Sequence, residues 1–389
     1  MKELISLFEN IFGDACGTKI FFSPGRVNLI GEHVDYNGGY VFPCALSLGS
    51  YGVARKRSDD ALNFYSENLK SFKRCSVNDL KYEKDHDFAN YLKGVIFELK
   101  KSGFKIGGMD ILLYGNLPNA AGLSSSASIE LLTSIICRDL FSCDIDMLDL
   151  VKLSQKAENE FVGVNCGIMD QFAVGMGKKD NAMLLDCTNI KCQYIPIILN
   201  GYSLMITNTN KKRELSDSKY NERRSECEEA LKCLNKKLNI KNLAQITPEE
   251  FEEYKYLIND PTVLKRATHV IYEIERTILA AQKLKNNDIE AFGKLMIDSH
   301  NSLRDLYEVT GIELDTLVKE ALKIHGVLGS RMTGAGFGGC TISIVKDESI
   351  DEFKSEIEKN YADKIGYPPS FYKASIGDGA KKLNVEKDQ

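Results

Sequence analysis

Residues 330–346 read SRMTGAGFGGCTISIVK, with four glycines between positions 334 and 339. So dense a glycine cluster invites comparison with a dinucleotide fingerprint, in which a strand precedes the glycines and a helix follows. Here the next residues, CTISIVK, form a short β-branched run and read as a strand. That context excludes a Rossmann unit. A glycine-rich turn leading into a strand is a packing or hairpin element that can also line a nucleotide or sugar pocket from its far side. Outward from it, similar strand-length stretches recur as YVFPCALSLGSYGVA (40–54), GGMDILLYG (107–115), NAMLLD (181–186) and GYSLMITNT (201–209). Apolar residues every three or four positions predict helices over 126–141, 147–162, 216–238 and about 262–308. MKELISLFENIFGDACG at the N-terminus reads as an amphipathic first helix, not a signal peptide. TPEEFEEYKYLINDP (247–261) reads as an acidic surface connection. Strands early and late, with helices dominating the middle, predict an α+β fold instead of a doubly wound sheet.

The 389 residues suffice for two or three domains or one large bilobal enzyme. A net charge of -5 leaves no positive excess for a nucleic-acid partner. No stretch approaches the roughly 18 apolar residues of a membrane span. The 11 cysteines are scattered and form no C-x-x-C pair, which argues against a disulfide framework or zinc site and predicts reduced thiols in the cytoplasm.

Three further segments carry chemistry. GRVNLIGEHVDYNGG (25–39) concentrates Arg26, Glu32, His33 and Asp35 between glycines and directly before a strand. Hairpin punctuation explains the Asn-Gly and Gly-Gly pairs, whereas the charged cluster suits a polyhydroxylated ligand that needs converging donors and acceptors. GNLPNAAGLSSSAS (115–128) follows a predicted strand and opens a predicted helix. Its small residues admit close backbone approach, and the N–H groups of a helix start attract phosphate oxygens. Leu123 stands where a Walker loop would carry lysine, so this is a different phosphate cradle, or a serine-rich helix cap. In AENEFVGVNCGIMDQFAVGMG (157–177), Asp170 sits among apolar neighbours, where a carboxylate needs a partner such as Arg26. Alone, Asp170 reads equally as a helix cap, and Glu158 as a surface charge.

Together these segments resemble the signature motifs of the GHMP kinases, and the first narrows the likeness to the galactokinase family. GRVNLIGEHVDYNGGYVFPCAL is similar to that family's sugar signature, PNAAGLSSSAS to its phosphate loop, TGAGFGGC to its third motif, and CGIMDQF to the segment bearing its catalytic aspartate. The likeness runs from about residue 19 to 377. It implies a bilobal α+β fold with its site in a cleft between lobes 1–200 and 201–389. It also implies ATP and Mg2+ as cofactors and phosphorylation of galactose at the anomeric hydroxyl. Carried over by motif, Asp170 and Arg26 flank the reacting oxygen, and Glu32, His33, Asp35, Gly167 and Tyr220 bind the sugar. Ala120, Ala121, Gly122, Leu123, Ser124, Ser125 and Ser126 wrap the phosphates, with Ser126 and Glu158 on Mg2+. Phe88, in DFANYLKG, stands where many relatives have tryptophan near the adenine. The expected partners are small molecules, and the expected state is a monomer. An N-acetylgalactosamine kinase and a non-catalytic galactose and ATP sensor are the rival readings on the same scaffold.

Overall fold

The structure, a computed structural model, describes residues 1–118, 122–211 and 216–384, with the backbone alone for 216–218. The expected phosphate-loop residues Ala120 and Ala121 lie outside the described residues. Among those described, the strands form three sheets. The first has six strands in the order β13-β1-β3-β6-β4-β5, built from β1 (Lys19–Asn28), β3 (Pro43–Lys56), β4 (Ala61–Ser66), β5 (Ser71–Ser76), β6 (Met109–Gly115) and β13 (Lys381–Leu383). All its pairings are antiparallel except β4 with β6. The second is antiparallel, β10-β11-β9-β12, from β9 (Tyr202–Asn208), β10 (Val327–Thr333), β11 (Cys340–Lys346) and β12 (Ser370–Lys373). A small third sheet joins β2 (Tyr40–Val41), β7 (Asn181–Asp186) and β8 (Lys191–Pro196). Mostly antiparallel sheets with a helical middle are the α+β class that the sequence predicts.

One irregularity in β1 sets the position of Arg26. Pro24 and Gly25 interrupt the pairing with β3, and the register shifts between Pro24 and Arg26. Proline has no N–H to give the ladder, and a bulge re-aims the next side chain. The freed Arg26 N–H donates instead to the Leu123 carbonyl, 3.1 Å away, and so ties the strand to the phosphate loop. Nothing larger than Gly25 fits there, because a Cβ would lie 2.5 Å from Leu117 and 2.7 Å from the Leu123 oxygen.

The glycine cluster at 334–339 is the connection between β10 and β11, in keeping with the hairpin reading. Gly334, Gly336, Gly338 and Gly339 have φ of +87°, +81°, +126° and +82°, a region open to glycine at little cost. The acidic segment 247–261 does more than connect: Pro248–Tyr254 is a helix, started by a capping box between Thr247 and Glu250 with proline at the first turn. The single helical region expected from 262 to 308 is divided into Pro261–Lys285, Ile289–Ser302 and a π-helical turn, Leu303–Tyr307. Asp260 caps the first of these and Asp288 the second. The expected division at residue 200 falls between β8 and β9, yet the chain end returns to the first sheet, with Ile376 bridging to Leu46 and β13 pairing with β1. One apolar core runs from Phe21 through Leu131 and Val270 to Met332, so elements from both halves pack on each other.

Where the helix Ile289–Ser302 lies on β10, two glycines meet. A Cβ on Gly293 would sit 2.4 Å from the Leu328 carbonyl oxygen, and one on Gly329 2.3 Å from the Gly293 carbonyl oxygen. Helix propensity favours Gly293→Ala by about 1 kcal/mol, but forcing a methyl against rigid backbone costs about 1–3 kcal/mol. The variant is therefore expected to unfold at lower temperature and lower urea concentration than the parent. A melting temperature equal to or above the parent's would show that the helix and strand can separate freely.

Candidate active site

Arg26 is 4% exposed and spends its guanidinium on three acceptors. Its Nε and Nη2 each donate to an Asp170 carboxylate oxygen at 2.8 Å, and Nη1 donates to the Gly122 carbonyl at 2.7 Å. The Ser124 hydroxyl donates to Asp170 Oδ2 at 2.6 Å. Asp170 lies in the first turn of the helix Met169–Met176, whose N-cap is Ile168 and whose end is not capped by any side chain. The aspartate is therefore not the helix cap. A helix start favours the carboxylate electrostatically, the bidentate fork fixes its plane, and its side chain remains 28% exposed, toward a cavity.

Glu158 is not a surface charge but 6% exposed, in a π-helical turn, Ala157–Val162, that forms the last part of the predicted helix. Its Oε2 accepts from Gln171 Nε2 at 2.6 Å and from the Cys166 thiol at 3.3 Å. Gln171 also donates to fully buried Glu130, at 2.9 Å. Burial raises the affinity of both Glu158 and Glu130 for protons, and the neighbouring Asp170 charge adds to the effect. Ser126 reaches Glu158 from the phosphate-loop side.

The charged signature segment folds inward. Glu32, 1% exposed, accepts from Asn28 Nδ2 and from the Gly334 N–H, and Arg331 Nη1 stands 3.6 Å from its Oε1. Burial pushes its carboxyl up to about 7 against the opposing pull of Arg331. His33 has φ +62° and uses both ring nitrogens, Nε2 with the Ala335 carbonyl at 3.0 Å and Nδ1 with the Tyr36 hydroxyl at 2.9 Å. Burial, helped by nearby His269, depresses its pKa to about 3, so the ring is neutral. Asp35 is raised to about 6 by burial and then by the Asp170 charge, while the N–H groups of Tyr36 and Met169 hold it in place. Gly167 gives that carboxylate its room, because a Cβ there would lie 2.0 Å from Asp35 Oδ2. The Tyr220 ring, from the helix Ser216–Leu234, packs 5.5 Å from His33 and 5.4 Å from Tyr36.

These groups enclose one cavity of about 150 Å³, walled by residues of the signature segment, of the 158–170 stretch, of Tyr220 and of the loop at Gly334 and Ala335. Arg26, Glu32, His33, Asp35, Glu158, Gly167, Asp170 and Tyr220 all line it. Of the phosphate-loop residues described, Gly122 to Ser126, none lines it. Ser124 takes a left-handed conformation, φ +60°, immediately before the helix Ser125–Phe141, and its hydroxyl goes to Asp170 instead of capping that helix. Leu123 is buried in the second apolar cluster, and Gly122, with φ +70°, abuts Gly334: a Cβ on the latter would lie 2.9 Å from the Gly122 oxygen. The first-turn N–H groups of Ser125–Phe141 have no partner within the helix. Beyond Ser125 a second cavity of about 240 Å³ is walled by Phe88, Leu117, Leu113, Asn68 and Ile129.

Among the described residues no group of three His, Cys, Asp or Glu is arranged to hold a metal. One buried carboxylate and one hydroxyl, Glu158 and Ser126, with a buried Glu130 oxygen left without a partner behind them, nevertheless suit Mg2+, which takes most of its oxygens from phosphate and water. Sequence reading missed Tyr36, Gln171, Cys166, Tyr307 and Arg331. Tyr36, Cys166, Gln171 and Arg331 lie inside segments singled out for other residues, and Tyr307 in a stretch read only as helix, so none carries a local signal of its own.

Comparison with known proteins gives matches in the same order along the chain. The galactokinase galactose-binding signature matches residues 6–56, the GHMP kinases N terminal domain residues 90–178, and the GHMP kinases C terminal region residues 280–363. The chain is 58% identical to a galactokinase of Clostridium acetobutylicum over 380 residues, 97% of each chain. It is 52% identical to a galactokinase of Bacillus subtilis over 388 residues, 99% of this chain and 100% of that one. The Lactococcus lactis galactokinase, crystallised with galactose, superposes with a TM-score of 0.96 at 46% identity, covering 98% of this chain and 99% of that one. A mevalonate kinase of Methanococcus jannaschii shares the fold alone, with a TM-score of 0.65 at 22% identity over 94% of this chain and 100% of that one.

Two buried imidazoles, His33 in the cavity wall and His269, set an acid limit on stability. Burial lowers His269 to about 4 and His33 to about 3, whereas the unfolded chain binds those protons near 6.5. Their contribution is complete above about pH 6.5 and is lost as pH falls toward 4 and then 3. Glu32 and Asp35, both raised, act in the opposite sense, favouring the fold at low pH and losing that effect as pH rises toward 7 and 6. In urea titrations, His269→Gln is expected to lose on the order of 2 kcal/mol less stability than the parent between pH 7 and pH 5. Identical losses would mean that His269 takes up a proton in the fold as readily as in the unfolded chain.

Proposed function

The chain belongs to the galactokinase family of the GHMP kinases, and from that premise we infer that it transfers the γ-phosphoryl group of ATP to the anomeric hydroxyl of galactose, giving galactose 1-phosphate and ADP. We propose that the cavity walled by Arg26 and Asp170 holds the sugar. The observation that carries this assignment is the bidentate Arg26–Asp170 pair, which meets the cavity on one side and the phosphate loop, through Gly122 and Ser124, on the other.

In this reading Asp35 and Tyr220 meet sugar hydroxyls, and Gly167 leaves the space. Glu32 and His33 already have protein partners, so they shape the pocket and hold its walls together more than they supply free donors. Asp170 accepts a hydrogen bond from the anomeric hydroxyl and takes up its proton, while Arg26 keeps the carboxylate in plane and offsets charge gathering on the transferred group. Phosphoryl transfer depends chiefly on such positioning and charge stabilisation. The N–H groups at the start of Ser125–Phe141, with Gly122, Leu123, Ser124, Ser125 and Ser126, cradle the phosphates. The 240 Å³ cavity beyond Ser125 takes the adenine, with Phe88 as one apolar wall. Ser126 and Glu158 would hold Mg2+, which supplies charge neutralisation on the phosphates. Two lobes are proposed, residues 1–200 with the returning 376–383 and residues 201–373, a division supported by the strand pairing. A cytoplasmic setting is supported by cysteines that form no disulfide among the described residues. No helix among them is long and apolar enough to cross a membrane.

Asp170→Asn keeps the shape and much of the hydrogen bonding but removes the base and the charge, so turnover is expected to fall by about 100-fold or more while folding survives. Near-parental turnover in a well-folded variant would remove Asp170 from proton transfer. Glu158→Gln is expected to raise the Mg2+ concentration needed for half-maximal rate and to leave galactose affinity within about twofold, since its carboxylate faces the metal position. An unchanged Mg2+ titration would leave Glu158 a structural group.

A further inference from the structure

Below the sugar cavity, side chains from distant parts of the sequence form one line of hydrogen bonds. The Tyr36 hydroxyl lies 2.9 Å from His33 Nδ1, the Tyr307 hydroxyl 2.8 Å from that of Tyr36, and Cys227 Sγ 3.1 Å from that of Tyr307. At the other end His33 Nε2 lies 3.0 Å from the Ala335 carbonyl. A carbonyl only accepts, so Nε2 of the neutral ring carries the proton and Nδ1 is bare. Nδ1 then requires a donor, which is the Tyr36 hydroxyl, and Tyr36 in turn receives its hydrogen bond from Tyr307. The direction of the whole line is thereby set.

His33 needs this support. Its φ of +62° lies in the left-handed region, which a non-glycine residue keeps only where its surroundings hold it. Tyr307 ends the π-helical turn Leu303–Tyr307, is fully buried, and packs its ring 4.9 Å from that of His33 and 4.5 Å from that of His269. Ring contact alone would let His33 turn about its side-chain bonds. The hydroxyl line removes that freedom.

We propose that Tyr307 is a positioning residue for galactose: its hydroxyl orients Tyr36, Tyr36 orients the His33 ring, and the ring is a preformed wall of the sugar cavity. The proposal rests on the reading of that cavity as the galactose site. Preorganised walls matter because any freedom lost on binding is subtracted from affinity.

Tyr307→Phe keeps the ring packing and deletes one hydroxyl, and Tyr36→Phe breaks the same line one step closer to His33. Galactose binding by calorimetry, with the KM of each substrate, is measured for the parent, both variants and the double variant. Each single variant is expected to weaken galactose binding about tenfold, near the worth of one buried hydrogen bond, with the KM for ATP unchanged within about twofold. The double variant is expected to be no worse than the poorer single one, since a line broken once is already broken. Unchanged galactose affinity in the singles, multiplied losses in the double, or an equal rise in the KM for ATP would overturn the proposal. Should Tyr307→Phe fail to fold, Tyr36→Phe alone carries the comparison between the two substrates. Failure of the parent to bind galactose would overturn the cavity assignment and the proposal with it, whereas parental binding with unaffected variants overturns the proposal alone.

Discussion

Arg26 holds together three parts of the chain that are far apart in sequence. Its side chain joins the first sheet to the helix that carries Asp170 and to the loop that carries Gly122. Its backbone N–H, freed by the Pro24–Gly25 bulge, joins the same strand to Leu123. A regular strand would have turned that N–H into the ladder and aimed the side chain elsewhere. The cost of burying a guanidinium is met because the fork and the carboxylate satisfy each other, and removing either partner from such a pair typically costs about 3–5 kcal/mol. The positions of Ser124, of the helix after it and of the cavity wall all depend on that contact.

Around it the site is rich in acid. Asp35, Glu158 and Glu130 are each pushed toward the protonated form by burial, and the Asp170 charge adds to the shift in every case. Among the acids of the described residues, Arg26 forms its ion pair with Asp170. Burial and mutual repulsion thus favour the neutral form of Asp35, Glu158 and Glu130 around the one charge that Arg26 pairs. Arg331, fully buried, donates to the Asn28 carbonyl and stands beside Glu32.

The two glycine loops meet because neither carries a side chain at the contact. Gly122 and Gly334 approach so closely that a Cβ on the second would collide with the first. Gly334 also gives its N–H to Glu32, so the sugar signature, the phosphate loop and the β10–β11 turn share one small volume. The positive φ angles along 334–339 are the local expression of that crowding.

Much of this is legible in the sequence. Strand after glycine cluster excludes a doubly wound sheet, helical spacing locates the middle helices, and the polar cluster at 25–39 with the loop at 115–128 locates the site. Local patterns suffice there because strand and helix periods, turn residues and clustered charges act over a few neighbours. The sequence also places Asp170 among apolar residues and so requires a cation for it. The capping box at Thr247 and Glu250 is a local signal too, masked by the acidic composition around it. Other features need three dimensions. The burial of Glu158 depends on a π turn and on Gln171 and Glu130 approaching it across helices. That Glu32 and His33 face the protein as much as the cavity depends on Gly334, Ala335 and Tyr36, two of them some 300 positions away. The return of the chain end to β1, and the line from Cys227 through Tyr307 to His33, are likewise pairings between remote segments. Sequence determines which groups a segment offers, because that is a matter of residue type and local period. Only tertiary packing decides which groups meet, because a hydrogen bond or a buried charge pair is satisfied by whatever the fold brings within about 3 Å.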